Sequence, residues 1–223
     1  ENNWGWLENS TFKSEVEVIL GDIRDFDSVS NASNGCSDIL HLAALIGIPY
    51  SYISPLAYIK TNIEGTYNIL ECARKGSFDN IIITSTSEVY GAGIKLPINE
   101  DHRILGQSPY SASKISADQI GLSYFKSFDL PVKIIRPFNT YGPRQSARAI
   151  IPTIFSQLYD NNSINIGNIN TTRDFTYVLD LCSAYEKFLK CKKKIAYGSV
   201  YNIGNNKEIS IKELISLIKI ISG

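Results

Sequence analysis

The chain has 223 residues, 43% of them hydrophobic and 20% charged, with Lys+Arg (22) equal to Asp+Glu (22). That composition suffices for one good-sized core and part of a second, and zero net charge without a basic stripe removes the electrostatic case for a nucleic-acid partner. No run approaches the roughly 18 apolar residues of a membrane span, and nothing at the N-terminus has the layout of a signal peptide, so a soluble cytoplasmic protein with a small-molecule partner and no membrane role is expected.

Cys36, Cys72, Cys182 and Cys191 lie far apart without a CxxC or a neighbouring His pair, so no metal site and no disulfide framework is expected, only free thiols. The chain contains no Met and opens at Glu1, which reads as a fragment.

The run Val16–Leu20, closed by Gly21-Asp22, has the β-branched, turn-bounded character of a strand. Ile39–Ala44 is a second. From Pro55 to Arg74 the residues Ile59, Ile63, Tyr67, Leu70 and Ala73 recur at helical spacing, with Gly76 as a stop signal. Asn80–Ser85 contains Ile81-Ile82-Ile83, a continuous apolar run of the kind covered on both faces. A helix over 108–128 and a buried strand over 131–136 follow. Alternating strands and helices with apolar strand runs predict an α/β doubly wound parallel sheet over 1–145. Shorter mixed elements predict a smaller α/β domain over 146–223, some of whose elements return to the first. They are a helix near 150–159, a strand at Ile164–Ile166, a helix near 180–190, a strand at 200–203 and a helix from Ser210. The basic run Lys190–Lys194 is read as cations solvating a helix C-terminus.

Among thirteen tyrosines only Tyr110 has a lysine four positions on, Lys114, which places both on one helix face. Chance supplies roughly one such pair, so the spacing by itself carries little. Its chemical reading is an ammonium one turn away that lowers a phenol's pKa, so that it takes a proton from a hydroxyl. The preceding strand end adds weight. In Thr84-Ser85-Thr86-Ser87-Glu88-Val89-Tyr90-Gly91, hydroxyls and a carboxylate crowd the end of a buried strand, where open α/β sheets take their ligands. A helix cap or loop salt bridge is the plainer reading of Glu88.

Together, Ser85–Gly91, Tyr110-Ser111-Ala112-Ser113-Lys114 and Arg136-Pro137-Phe138-Asn139-Thr140-Tyr141-Gly142-Pro143-Arg144 resemble the extended short-chain dehydrogenase/reductase family, the NAD-dependent epimerases and dehydratases of nucleotide sugars. Within it the chain is similar to the sugar-nucleotide 4,6-dehydratases. Asn3–Leu7, Gln107–Tyr110 and Arg144–Arg148 resemble stretches of bacterial UDP-N-acetylglucosamine 4,6-dehydratases of the legionaminic-acid type.

The resemblance implies a Rossmann-like fold, NAD as cofactor and a nucleotide-sugar substrate in a homodimer paired through the helices around 55–75 and 108–128. It assigns catalysis to Thr86, Ser87, Glu88, Tyr110 and Lys114. Tyr110 takes the O4 proton, Lys114 holds the cofactor ribose, Thr86 binds O4 and Glu88 removes the C5 proton. Cofactor contacts carry over to Asp22, Ile23, Leu42, Ala43, Ala44, Asn62, Tyr110, Lys114 and Pro137, and substrate contacts to Thr86, Asn139, Arg148 and Arg173.

Two departures stand out. Ser87-Glu88 replaces the Asp-Glu pair of many glucose-type dehydratases, leaving Glu88 or Tyr110 to protonate the departing C6 hydroxyl. No GxxGxxG turn occurs; in the family it precedes the position of Glu1, as does the acidic residue that reads the ribose. These residues on their own are therefore expected to bind NAD poorly, and NADP stays open as the cofactor. UDP-glucuronate decarboxylases and 4-epimerases share much of the pattern, epimerases usually with a small residue in place of Glu88, and a non-catalytic dinucleotide-binding module is the alternative from another class.

Overall fold

The structure, a computed structural model, describes residues 4–161, 163–190 and 197–222. Its centre is a parallel sheet of four strands, β1 (Asp38–His41), β2 (Asn80–Thr84), β3 (Val132–Pro137) and β6 (Ser199–Ile203), in the order β1-β2-β3-β6. Successive side chains of a strand face opposite sides. In β2 this sends Ile81 and Ile83 into one cluster with Leu70, Ala73, Val132 and Ile134, and Ile82 into another with Ile135, Leu181, Tyr185 and Phe188. Both faces are therefore covered by helices, which is why β2 and β3 read as unbroken apolar runs.

The first face carries α1 (Phe26–Ser33), a long helix running from α3 (Pro55–Tyr58) through a π-helical stretch, Ile59–Glu64, into α4 (Gly65–Lys75), and α5 (Pro109–Phe128). The opposite face carries α7 (Val178–Lys190). Helix α5 begins with a capping box in which Ser108 and Ser111 each satisfy the other's backbone, with Pro109 in its first turn. It comes so close to β2 that a Cβ on Gly121 would sit 2.7 Å from Ile83 Cδ1. A short helix, α2 (Ile48–Ile53), lies between β1 and α3. A second sheet joins β4 (Asn139–Tyr141), β5 (Thr172–Tyr177) and β7 (Glu208–Ser210). Beside it α6 (Ile150–Asn161) and α8 (Ile211–Ser222) share the cluster Ile154, Ile211, Leu214 and Ile218.

The architecture is the α/β, Rossmann-like arrangement expected from the sequence. Two expected strands are absent. Residues 16–22 run extended without a ladder, with Leu20 fully exposed, because no described strand lies alongside to take their backbone hydrogen bonds. This segment is held by side chains: Asn68 Nδ2 donates to Ile23 O (3.0 Å), and Ile23 packs into the space left by Gly65. Ile164–Ile166 likewise forms no strand and packs against the α6–α8 cluster. Lys190 closes α7 beside Glu186, whereas the rest of the basic run, with Cys191, lies outside the described residues. Cys36, Cys72 and Cys182 are free thiols.

Candidate active site

Strand β2 ends at Thr84, and the chain turns at once into a 3-10 turn, Ser87–Tyr90. Thr86 caps that turn, its Oγ1 accepting from Glu88 N (3.2 Å), while Ser85 N donates to Ile135 O (2.7 Å) and prolongs the ladder. Ser87 and Glu88 are half-buried, and Thr86 is buried. Tyr110 and Lys114, on the sheet-facing side of α5, are buried below them, and the Thr86 hydroxyl hydrogen-bonds Tyr110. Thr86, Tyr110 and Lys114 thus gather at the C-terminal edge of the parallel sheet, with Glu88 above them.

Lys114 does not lower the Tyr110 pKa as the spacing alone had implied. Burial pushes it up to about 12, helped by the Glu88, Tyr58 and Asp118 charges and resisted by the Thr86 hydrogen bond. The Lys114 ammonium is directed elsewhere, donating to Thr84 O (2.6 Å). Its own burial lowers its pKa to about 8, against the opposing pull of Asp118. His41 is buried and hydrogen-bonded to Thr66. Thr66 Oγ1 gives its proton to Asn62 O (2.7 Å), so His41 Nε2, 2.9 Å from the same oxygen, must be the donor, and the ring is neutral. Burial, with Lys114 as the second cause, holds its pKa at about 3.

Asn62 sits in the π-helical stretch, and its amide behaves as a backbone surrogate. Oδ1 accepts from Leu45 N (2.8 Å), and Nδ2 donates to Leu45 O (2.9 Å) and to Ser113 Oγ (2.9 Å). This ties the segment leaving β1, with exposed Leu42 and Ala43 and half-buried Ala44, to the helix of Tyr110 and Lys114.

Over the strand ends opens a cleft of about 820 Å³, lined by Ser87, Glu88, Asn139, Arg173 and, from the connection after the 3-10 turn, Gly93 and Ile98. Arg173 NH1 donates to Thr172 O (2.8 Å). Sequence reasoning missed Asn202, which also lines the cleft, because its position depends on β6 joining the far side of β3. Arg148 is exposed and lines neither this cleft nor the smaller cavity described next, and Pro137 is half-buried at the end of β3. Asp22 and Ile23 line a separate apolar cavity of about 330 Å³ against β1, where the Asp22 carboxylate is paired with Arg24 (2.5 Å) and held at a pKa of about 2 by that hydrogen bond. Trp4 and Trp6, unassigned from sequence, lie under the Lys13 ammonium and the Arg144 guanidinium at 5.1 and 5.2 Å.

Comparison with known proteins agrees with this fold. The family model described as GDP-mannose 4,6 dehydratase matches residues 1–222. A human dTDP-D-glucose 4,6-dehydratase is 34% identical over 220 residues, which are 96% of this chain and 62% of that enzyme. Among solved structures, UDP-glucuronic acid 4-epimerase from Bacillus cereus, in complex with UDP-glucuronic acid and NAD, superposes with a TM-score of 0.88 at 32% identity, covering 97% of this chain and 70% of that one. A dTDP-glucose 4,6-dehydratase from Streptomyces venezuelae with NAD bound gives 0.83 at 29% identity, over 89% of this chain and 61% of the other. The chain thus spans about three fifths of the length of the human and Streptomyces relatives. Family match, sequence relatives and fold agree, and the chain belongs to the extended short-chain dehydrogenase/reductase family of NAD-dependent epimerases and dehydratases.

Proposed function

We propose that the protein carrying this chain is an NAD-dependent 4,6-dehydratase of a nucleotide sugar, with a UDP-N-acetylhexosamine as substrate. The observation that carries this reading is Glu88, a carboxylate that lines the cleft two residues after the buried Thr86 and whose charge acts on the buried Tyr110. A 4-epimerase has no use for a base at C5, whereas water loss across C5 and C6 requires one.

The residues fit NAD: the exposed Leu42–Ala43 segment, tied through Asn62 to α5, offers a strip along the C-terminal strand ends. When bound, NAD supplies the acceptor for the C4 hydride, returns it at C6, and brings a positive charge that favours the tyrosinate. Tyr110, as the tyrosinate, takes the O4 proton and becomes a neutral phenol, Thr86 holds O4 through its hydroxyl, and the Lys114 ammonium holds the cofactor ribose. Oxidation at C4 acidifies the C5 hydrogen, which Glu88 removes; Glu88, now protonated, gives that proton to the departing C6 hydroxyl, and C5 regains a proton from water as Tyr110 gives up the one it took from O4. Ser87 orients the hydroxyl and is too weak an acid to protonate it. Asn139 and Arg173, on the cleft wall, suit the diphosphate, Arg173 through its forked donors. Arg148 is kept as a nucleotide contact from its motif alone. Asp22, Ile23 and Pro137 belong to the cofactor side.

The same reading makes the assembly a homodimer joined through the helices around 55–75 and 108–128. In support, Leu56, Ile59 and Tyr67 on the first and Phe128 at the end of the second present large exposed apolar surface. Sedimentation of the full-length protein as a monomer would remove the dimer.

The deciding experiment is mass spectrometry of UDP-N-acetylglucosamine after incubation with NAD and the full-length protein. Loss of one water is expected. An unchanged mass with altered C4 stereochemistry would make the protein an epimerase, and loss of carbon dioxide from UDP-glucuronate a decarboxylase.

A further inference from the structure

The mechanism uses neither Arg136 nor Tyr90, yet both are buried polar side chains among the largest fully enclosed ones. Arg136, near the end of β3, places Nε and NH2 on Asp118 Oδ2, each at 3.0 Å, and NH1 on the Tyr90 hydroxyl at 2.9 Å; the guanidinium also stacks on the Tyr90 ring at 4.9 Å. Having accepted from Arg136, the hydroxyl has one proton to give, and gives it to Asn202 Oδ1 (2.7 Å). Asn202 lines the cleft, where its Nδ2 donates to Ile98 O (3.3 Å) and its N–H to Glu100 Oε1 (2.7 Å). The other side of the Tyr90 ring meets His102 edge-on at 5.7 Å, and His102 Nε2 accepts from Ile94 N (3.1 Å). At the far end of the chain, Asp118 lies one helical turn after Lys114 and acts on its charge.

We propose that Tyr90 is a positioning residue for substrate binding: it transmits the fixed orientation of the buried Asp118–Arg136 pair, through Asn202, to the Ile94–His102 wall of the cleft. The proposal rests on the reading of that cleft as the nucleotide-sugar site. Both ends of this polar chain reach the site, one at Lys114 and the other at the residues facing the sugar. Shape alone does not require it, because a buried ion pair is often replaceable by apolar residues of equal volume without loss of stability. A guanidinium held by Nε and NH2 on one carboxylate oxygen and stacked on the Tyr90 ring is restricted in orientation, so its third bond positions the Tyr90 hydroxyl, and the hydroxyl in turn decides which way the Asn202 amide faces.

The test is Tyr90→Phe in the full-length protein, which keeps the ring and both of its stacking contacts and removes only the hydroxyl. The expected result is a KM for the nucleotide sugar raised about tenfold, as for one lost hydrogen bond to a charged group, with kcat changed less than about threefold. Amide hydrogen exchange over residues 92–104 should quicken while that of β2 and β3 stays as it was. Asn202→Leu supplies the second arm: if Tyr90 acts through Asn202, the double variant raises KM no further than Asn202→Leu alone. An unchanged KM, additive effects, or unaltered exchange over 92–104 would overturn the proposal. The exchange measurement needs no substrate. It therefore separates this proposal from the dehydratase reading, which fails when the unaltered protein turns over no nucleotide sugar while the loop still loosens in Tyr90→Phe.

Discussion

Replacing Lys114 by methionine should abolish turnover while changing how stability depends on pH, and the second effect can be worked from the structure. The ammonium is buried and titrates at about 8 in the folded protein against 10.5 as its ordinary value. Between those two pH values the unfolded chain holds a proton that the folded chain has released, so stability rises with pH across that window. The full difference corresponds to about 3 kcal/mol, of which about 2 kcal/mol falls between about pH 7 and pH 9.5. At neutral pH the relief of burying no charge is offset by losing the hydrogen bond to Thr84 O, worth about 1.5–3 kcal/mol, so the parent and Lys114→Met should lie close together there. By about pH 9.5 the parent should have gained about 2 kcal/mol relative to the variant, still below the range in which Tyr110 titrates. Urea unfolding of both proteins at the two pH values measures this directly, since groups common to both cancel in the difference. Parallel pH profiles for parent and variant would refute the claim that Lys114 is buried as an ammonium.

Other perturbations have equally definite outcomes. Glu88→Gln should leave reversible oxidation at C4, seen as absorbance of reduced cofactor, and slow water loss by about 10²–10⁴-fold in mass spectrometry, the usual worth of a general base. His41, folded at a pKa of about 3 and ordinarily near 6.5, makes the unfolded chain the stronger proton binder below neutrality. Stability should therefore fall by about 2 kcal/mol from about pH 7 to pH 5, and His41→Leu should remove that fall in urea titrations. Gly198 holds φ +71° and leaves no room for a Cβ, which would lie 2.1 Å from Phe125 Cδ1. Gly198→Ala should cost about 1–3 kcal/mol of backbone strain, lowering Tm by several degrees in a calorimetric scan.

Sequence patterning revealed those parts of the fold whose neighbours impose a period. Ile81-Ile82-Ile83 could be read as a two-faced buried strand because each residue meets one of two apolar clusters. The same reasoning failed for Val16–Leu20, since an apolar run becomes a strand only with a partner beside it. It also passed over β5, whose Thr172–Tyr177 sequence alternates weakly and is defined by pairing with β4 and β7, far away along the chain. The π-helical stretch at Ile59–Glu64 was hidden within a good helical period, although it carries Asn62. At the site, the spacing of Tyr110 and Lys114 was legible because one helix fixes it. The direction of the Tyr110 pKa was not, since it is set by burial under elements the spacing does not describe. Asp118–Arg136 was equally hidden, being a contact between a helix and an interior strand.

The connection that walls the cleft begins and ends at nearly the same point. Leu105 N donates to Val89 O (2.8 Å), and Gly91, at φ +65°, passes so close that a Cβ there would lie 2.7 Å from Leu105 O. The backbone leaving β2 is thereby closed on itself at this point, and residues 92–104 connect to it through Tyr90 and Asn202. Closing a loop across a fixed gap grows costlier only slowly with its length, by about 0.6 kcal/mol for each doubling. The length of this stretch can therefore change at little cost in closure, while Glu100 and His102 within it stay tied to Asn202 and Tyr90.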